Sequence, residues 1–220
     1  MHVVESLPDQ AQLEALIEGV KPDLIDEGSA QSARRLHPLL ATPFRYPPLD
    51  FGSRFGTRNQ RGIWYGASVI RTVLYEIAFY RFLDFDRTEV RRTAASSSSS
   101  IFKVRLSAER DLDLCRSAFD KHRTEICHPS RYTESQALGA TARRLSVQTL
   151  RYPSSRAPDG GTCVAVLHPD AFERNRPERG IQRWTYQVDA DRILFERAPD
   201  YLLIPRNTFL INGKLPLPAN

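Results

Sequence analysis

The chain has 220 residues, of which 41% are hydrophobic and 26% charged, and its formal net charge is +5. This length and composition predict a folded domain with a sizeable core and exclude a disordered chain. The first residues lack the basic and apolar segments of a signal peptide, and no uncharged apolar stretch approaches the length of a membrane span. We therefore expect a cytoplasmic protein without a membrane segment.

Cysteine content and positive charge further restrict the class of protein that the sequence can encode. The cysteines are Cys115, Cys127 and Cys163, an odd number without an export signal, so we expect reduced thiols rather than disulfides. Four of the 31 basic residues are lysines, which leaves 27 arginines spread along the chain. Scattered arginines suit a pocket for phosphate groups, which the guanidinium binds bidentately. A basic module that binds nucleic acid is the hypothesis from a different class.

The first part of the chain is predicted to be helical. Residues 1–40 form a helical extension in this prediction, with an amphipathic helix over residues 9–20. A loop rich in proline and glycine follows, and a short aromatic strand over residues 62–66 precedes a helix over residues 69–83, with Ser68 as its N-cap. The apolar face predicted for that helix consists of Ile70, Val73, Leu74 and Ile77.

The second half of the chain is predicted to be rich in strands. The serine-rich run over residues 94–100 indicates a loop, and the alternation over residues 101–106 indicates a half-buried strand. Residues 133–136 form a capping-box motif, which predicts the start of a helix. Four more strands are expected, the last two as a hairpin, over residues 148–152, 162–167, 183–188 and 192–195. This order of elements predicts an α+β fold with mostly antiparallel strands.

Common metal and nucleotide motifs are not supported by the sequence. Cys115, His122, Cys127 and His128 are close in sequence, but their spacing matches no standard set of zinc ligands. The glycine-rich motifs of P-loop and Rossmann nucleotide sites do not occur in the sequence. We therefore expect neither a metal site nor a nucleotide site of those classes.

Glu76 is the candidate residue with the most unusual setting. Its neighbours one helical turn away are Thr72, Val73, Phe79 and Tyr80, and none of them is a cation. Most helix glutamates are solvated, whereas a carboxylate among aromatic and hydroxyl groups is typical of a pocket wall. The neighbours of Glu76 therefore leave two interpretations open, a solvated helix residue and a residue in the wall of a pocket.

Two loops hold further polar side chains in restricted settings. Arg45 and Arg54 each lie between an aromatic residue and turn-forming residues, which restricts the guanidinium. The Tyr-Pro-Ser-Ser-Arg segment over residues 152–156 follows a predicted strand and presents Ser154 and Arg156. Taken alone, these loops fit either ordinary surface turns or a site that offers cationic and hydroxyl groups to a ligand.

Together these segments resemble the RES domain family, which is named for its Arg, Glu and Ser. The resemblance covers residues 41–170 and extends to about residue 205. The segments that carry it are, in chain order, Arg45-Tyr46, Gly52-x-Arg54-Phe55-Gly56, Trp64-Tyr65-Gly66-Ala67-Ser68, Thr72-x-x-x-Glu76 and Tyr152-Pro153-Ser154-x-Arg156. The steps of eleven residues from Arg54 to Tyr65 and from there to Glu76 are also similar to those of the family.

The resemblance implies an ADP-ribosyltransferase-like fold, a split antiparallel β-sandwich with helices around an NAD⁺ cleft. It divides the chain into a helical extension at 1–40, the RES domain at 41–205 and a C-terminal tail at 206–220. RES proteins are toxins of Res–Xre toxin–antitoxin pairs, and described members cleave NAD⁺ with inorganic phosphate as acceptor, releasing nicotinamide and ADP-ribose-1″-phosphate. A few relatives transfer ADP-ribose to a protein, so phosphorolysis, hydrolysis and protein ADP-ribosylation all remain open.

The resemblance also implies roles for individual residues. Glu76 stabilises the oxocarbenium-like cation that forms when nicotinamide leaves. Arg54 and other arginines neutralise pyrophosphate or the attacking phosphate, and Ser154 offers a hydroxyl to ribose or phosphate. The expected residues are therefore catalytic Glu76, Arg54 and Ser154, and NAD⁺-binding Arg45, Tyr46, Tyr65 and Arg156. NAD⁺ and phosphate are substrates in this account, so no resident cofactor is expected.

The expected partner is a helix-turn-helix-type, Xre-like antitoxin whose C-terminal segment fills the NAD⁺ cleft. The resemblance implies a toxin homodimer within that complex, no membrane contact, and no direct DNA binding without the antitoxin. The apolar stripe of the extension, Leu13, Leu16 and Ile17, could serve as a docking surface or pack on its own domain.

Overall fold

The structure, a computed structural model, describes residues 27–46, 51–87 and 94–218. The helix expected over residues 9–20 lies outside these ranges and stays a prediction. The described helices are α1 (Glu27–Arg34), α2 (Pro38–Arg45), α3 (Ile70–Arg87), α4 (Arg123–Ile126) and α5 (Thr133–Arg144). Short 3-10 helices lie at Ser117–His122, Pro169–Ala171 and Arg206–Phe209.

The described strands form two sheets of four strands each. In chain order they are β1 (Trp64–Ala67), β2 (Ala95–Ile101), β3 (Asp111–Asp113), β4 (Thr149–Pro153), β5 (Thr162–Val166), β6 (Gln182–Val188), β7 (Arg192–Arg197) and β8 (Asp200–Pro205). The first sheet has the order β1-β5-β4-β3, in which only β3 and β4 run parallel. The second sheet, β2-β6-β7-β8, is antiparallel throughout. The α+β class with a split β-sandwich is thus confirmed.

Helix α3 joins the two sheets, because it begins just after β1 of the first sheet and packs on the second. Burying one large apolar side chain in such a core contributes about 1.5–3 kcal/mol. The core beneath α3 includes Leu74, Phe79, Phe82, Trp184, Phe195 and Ile204. The core of the first sheet includes Phe55, Leu114, Ala142, Leu150 and Leu167. No helix in the described ranges combines the length and hydropathy needed to cross a membrane.

The predicted apolar face of α3 was only partly right. Leu74 is buried, but Ile70, Val73 and Ile77 are only half-buried. The helix continues to Arg87, and its aromatic residues take the core positions because they bury more apolar area. Its buried side chains are Thr72, Leu74, Tyr75, Ala78, Phe79, Phe82 and Leu83.

The serine run was wrongly predicted as a loop. It forms edge strand β2, which pairs with β6 from Ala95 opposite Val188 to Ile101 opposite Gln182. Ladder hydrogen bonds come from the backbone, so a long partner strand can recruit residues whose side chains carry no strand signal. The strand expected over residues 101–106 was also wrong, because the ladder ends at Ile101.

The capping-box prediction was wrong in its detail. Helix α5 does begin at Thr133, but its N-cap is Tyr132, which makes no side-chain capping hydrogen bond. The four strands predicted from residue 148 onward are present, and the last two form a hairpin as expected. Asp189 closes its turn by accepting hydrogen bonds from the backbone N–H groups of Asp191 and Arg192.

The ends of the predicted RES domain are packed against their surroundings. The boundary at residue 40 falls inside α2, whose Leu40 and Phe44 are buried together with Trp64. In the predicted tail, Phe209 and Leu215 belong to the core beneath α3. The segments on both sides of the predicted domain therefore contribute to its core.

Candidate active site

A cavity of about 640 Å³ lies between α3, β1 and the loop over residues 51–63. This volume is in the range of small-molecule sites. Aromatic side chains form much of its wall, namely Tyr46, Phe51, Tyr65, Tyr80, Tyr132 and Tyr152. Its charged lining residues are Arg54, Glu76, Arg81 and Arg156.

Glu76 lines this cavity from helix α3 and is half-buried. The hydroxyl of Ser154 donates a hydrogen bond to Glu76 Oε1 over 2.6 Å. The thiol of Cys163 donates to the same oxygen over 3.6 Å. Among the described residues none donates to Oε2, so both protein donors orient one carboxylate oxygen and leave the other for a ligand.

Ser154, which orients the Glu76 carboxylate, is itself fixed by hydrogen bonds from the backbone. Its Oγ accepts hydrogen bonds from the backbone N–H groups of Arg156, over 3.1 Å, and Ala157, over 3.0 Å. A hydroxyl has a single hydrogen to donate, and that hydrogen is directed to Glu76. Ser154 therefore orients the Glu76 carboxylate in this structure, and the direct contact with ribose or phosphate that the resemblance implies stays a prediction.

Cys163 comes from strand β5, directly opposite Tyr152 of β4. Burial, followed by the negative charge of Glu76, raises the pKa of the Cys163 thiol. The thiol thus keeps its proton at neutral pH and acts as a hydrogen-bond donor.

Arg54 is nearly buried, and its guanidinium is fixed by the backbone of a distant segment. Its Nη1 donates to the carbonyl oxygens of Ile126, over 3.1 Å, and His128, over 3.0 Å. Its Nη2 donates to Ser155 Oγ over 2.5 Å, and its Cζ lies 5.0 Å from the ring centroid of Tyr132. A guanidinium held in this way is preorganised to receive an anion.

Arg156 supplies a second buried guanidinium. Its Nη2 donates to the carbonyl of Pro129 over 2.5 Å, and its Cζ lies 3.4 Å from the ring centroid of Phe79. Burial and the nearby charge of Arg54 lower the pKa of Arg156. Glu76 is the only carboxylate among the lining residues described, so the cavity carries an excess of positive charge that favours an anionic ligand.

The loop that carries Arg54 is anchored on both of its sides. The Tyr65 hydroxyl donates to Ser53 Oγ over 2.9 Å and accepts from the backbone N–H of Phe55 over 3.3 Å. Burial raises the pKa of Tyr65, so the phenol stays neutral and keeps both hydrogen bonds.

Gln136 of α5 is the second anchor of this loop. Its Nε2 donates to the carbonyl oxygens of Phe51 and Ser53, both over 3.1 Å, and of Gly56, over 3.4 Å. Gly52 meets this amide closely, because a Cβ there would lie 2.8 Å from Nε2 and its φ is +73°. Only glycine adopts this backbone conformation readily.

The family profile of the RES domain matches residues 32–189, which is most of the chain. The chain belongs to the RES domain family. This family is ADP-ribosyltransferase-like in fold and is associated with toxin–antitoxin systems and with enzymes that act on NAD⁺. Comparison with curated proteins finds no match.

The RES domain of this chain gathers most of the residues expected from its sequence. The cavity is lined by Tyr46, Arg54, Tyr65, Glu76 and Arg156. Ser154 donates a hydrogen bond to the Glu76 carboxylate. Arg45 is half-buried at the end of α2 and is not among the described lining residues.

Sequence reasoning missed Gln136 and Cys163 as parts of this RES domain site. Gln136 was seen only as part of a capping box, and nothing in its local sequence shows that it contacts residues 51–56. Cys163 carries a weak signal, since alternation along β5 places it on the buried face with Ala165. Within the described ranges, no group of three His, Cys, Asp or Glu side chains is arranged to hold a metal ion.

Proposed function

We propose that this chain is a toxin that cleaves the nicotinamide–ribose bond of NAD⁺ with inorganic phosphate as the acceptor. The observation that carries the proposal is Glu76, held by Ser154 at one oxygen, in the wall of a cavity with two buried arginines. A fixed carboxylate beside cationic groups suits a substrate that is anionic at its pyrophosphate and develops a cation at its ribose.

The proposed reaction begins with cleavage of the bond between ribose C1″ and the nicotinamide nitrogen. Nicotinamide leaves as a neutral molecule with the electron pair of that bond, and an oxocarbenium-like cation develops on the ribose. Glu76 stabilises this cation electrostatically, because its orientation is set before the reaction. A phosphate oxygen then bonds to C1″ and gives ADP-ribose-1″-phosphate.

The other lining residues bind and orient the substrate in this proposal. Arg54 and Arg156 neutralise the pyrophosphate or the incoming phosphate with their remaining N–H groups. The partly exposed ring of Tyr65 offers a flat surface for nicotinamide, and Tyr46 contacts the substrate at the rim. Arg45 does not contact the substrate directly in this scheme, because it is not among the described residues that line the cavity.

The products of the purified full chain with NAD⁺ test the reaction. With phosphate present we expect nicotinamide and ADP-ribose-1″-phosphate in equal amounts, and a rate that rises with phosphate concentration. ADP-ribose formed at a phosphate-independent rate would instead establish hydrolysis. ADP-ribose attached to protein in a lysate supplied with labelled NAD⁺ would establish protein ADP-ribosylation.

We further propose that an Xre-like antitoxin in the same cytoplasm restrains this enzyme, as part of a complex built on a toxin homodimer. A C-terminal carboxylate or acidic tail would complement the excess positive charge of the cavity. Expression of the chain alone is expected to stop growth, and expression with its neighbouring gene to restore it and yield a co-purified complex. Unimpaired growth and a monomer without a partner would contradict this proposal.

A further inference from the structure

A second cavity of about 770 Å³ lies at the end of the first sheet where β1 begins and β5 ends. It shares no lining residue with the first cavity, which Cys163 of β5 lines, whereas Leu167 just after β5 lines the second. The described lining residues are mostly polar or basic, and those that matter here are Asn59, Gln60, Arg61, Arg110, Arg143 and Gln148.

The arginines of this cavity are held in place by backbone carbonyl groups. Arg61, only 8% exposed, donates from Nη2 to the carbonyl of Leu167 over 3.0 Å, and its Cζ lies 5.4 Å from the ring centroid of Phe44. Arg143 in turn donates from Nη2 to the carbonyl of Arg61 over 2.9 Å. Arg110 donates from Nη1 to the carbonyl of Leu145 over 3.1 Å.

Positive charge at this cavity is not balanced by the acids around it. Three arginines line it against one acid, Glu109, and neither Arg110 nor Arg143 forms an ion pair with a carboxylate of the described residues. Burial, followed by the charge of Arg61, lowers the pKa of Arg143 to about 10. Arg61 is buried and Arg143 is half-buried, and two guanidinium groups that repel each other in such a setting are stabilised when an anion binds between them.

Neutral donors around the arginines complete a polar lining. The Gln148 side-chain oxygen accepts hydrogen bonds from the backbone N–H groups of Glu109 and Arg110, which fixes this side chain in the cavity lining and leaves its amide N–H groups as donors. The planar forks of the arginines and the side-chain amides of Asn59 and Gln60 match the hydrogen-bond acceptors of a phosphate group. The volume admits a small molecule larger than phosphate alone.

We propose that this second cavity binds the phosphate or pyrophosphate group of a small molecule through Arg61, Arg110 and Arg143. The site is independent of the NAD⁺ cleavage proposed above, since none of its residues lines the first cavity. Inorganic pyrophosphate is the probe, because it carries the shared chemistry without a base or sugar.

Pyrophosphate is titrated into the full ¹⁵N-labelled chain at constant ionic strength, while the arginine Nε–H and glutamine side-chain signals are recorded. The Arg143 and Gln148 signals, assigned by substitution, are expected to shift with one saturating affinity. Arg143→Gln should weaken that affinity by about 10-fold or more, since a charge-assisted hydrogen-bonded pair is lost. Arg144→Gln removes an equal charge from the exposed neighbouring position and should leave the affinity within about twofold.

Several outcomes would overturn the proposal. Signals that stay fixed, or that respond equally to chloride, would show that no anion site exists here. Equal weakening by Arg143→Gln and Arg144→Gln would indicate an effect of net charge alone. If Arg143→Gln does not fold, the exposed substitution Arg110→Gln replaces it and should weaken the binding of pyrophosphate in the same way. Shifts caused by a single-stranded oligonucleotide but not by pyrophosphate would assign the surface to nucleic acid instead.

Discussion

At the scale of single residues, the site depends on how firmly a few polar groups are held. Glu76 receives both of its protein donors, Ser154 and Cys163, on the same oxygen. Arg54 and Arg156 are fixed by backbone carbonyl groups rather than by carboxylates. Preorganised groups of this kind stabilise charge in a transition state without reorganising during the reaction.

Ser154→Ala removes the stronger donor to Glu76 and leaves the cavity wall unchanged. We expect kcat to fall by about 10-fold to 100-fold, the equivalent of about 1–3 kcal/mol, while KM for NAD⁺ changes little. Steady-state kinetics of nicotinamide release measure this split. Ser107→Ala, the same change at an exposed position away from the cavity, is the control and should keep the activity. A rise in KM without a fall in kcat after Ser154→Ala would instead indicate that the hydroxyl contacts the substrate.

Arg54→Lys keeps the positive charge but cannot serve all the acceptors of the guanidinium. The guanidinium serves the carbonyl groups of Ile126 and His128 from Nη1 and Ser155 Oγ from Nη2, whereas lysine has one nitrogen for all three. Each buried acceptor left unsatisfied costs about 1–3 kcal/mol. We expect a lower free energy of unfolding in urea together with a higher KM for NAD⁺. Arg58→Lys, in the same loop, is the control and should change neither quantity. Unchanged stability after Arg54→Lys would show that these hydrogen bonds contribute nothing.

The Cys163 thiol predicts a pH dependence of stability. Burial raises its pKa in the folded chain above the ordinary value of 9.0, so the folded state favours the protonated thiol. Its contribution is complete below about pH 9 and is lost as the pH rises towards the folded pKa, by about 1.4 kcal/mol per pH unit. The difference in unfolding free energy between the natural chain and Cys163→Ala should therefore shift by that slope between pH 9 and pH 10, in favour of Cys163→Ala. A constant difference would contradict a buried neutral thiol.

At the scale of elements, the loop over residues 51–63 depends on contacts from outside itself. Helix α5 holds it through Gln136, and strand β1 holds it through Tyr65. These two anchors flank Arg54, so the position of that guanidinium depends on packing between elements far apart in sequence.

Gln136→Glu replaces a donor with a carboxylate that faces the carbonyl oxygens of Phe51, Ser53 and Gly56. We expect the free energy of unfolding to fall by about 1–3 kcal/mol and kcat/KM to fall with it, since the loop loses its anchor. Gln187→Glu makes the same chemical change at an exposed position of β6 and should be nearly silent. Thermal unfolding and nicotinamide release measure the two effects. Equal behaviour of both variants would show that the Gln136 anchor is dispensable.

Sequence patterns predicted those elements whose side chains carry the signal themselves. The hairpin of β6 and β7 follows from alternation and a polar turn. The neighbours of Glu76 on α3 suggested a pocket wall, and the resemblance to the RES domain family assigned the residue to the site. Strand β2 could not be predicted, because its serines are held only by the backbone ladder to β6. Gln136 and Cys163 could not be placed either, because their roles depend on the packing of α5 against the loop and on the register of β4 and β5.

At the scale of the whole molecule, the first cavity draws on several parts of the fold. The first sheet contributes Tyr65 and Cys163, helix α3 contributes Glu76, and the loops contribute Arg54 and Arg156. Helix α3 also belongs to the core of the second sheet, so the orientation of its carboxylate depends on both sheets. We therefore expect the activity to be lost in the same cooperative transition in which the domain unfolds.

The most direct measurement of the central claim is nicotinamide release from NAD⁺ by the natural chain and by Glu76→Gln. The substitution keeps the shape of the side chain and removes its charge, so we expect kcat to fall by about 100-fold or more, with folding and NAD⁺ binding retained. Glu134→Gln, at an exposed position of α5, should match the natural chain. Full activity of Glu76→Gln, or no nicotinamide from the folded natural chain freed of any inhibitor, would contradict the account.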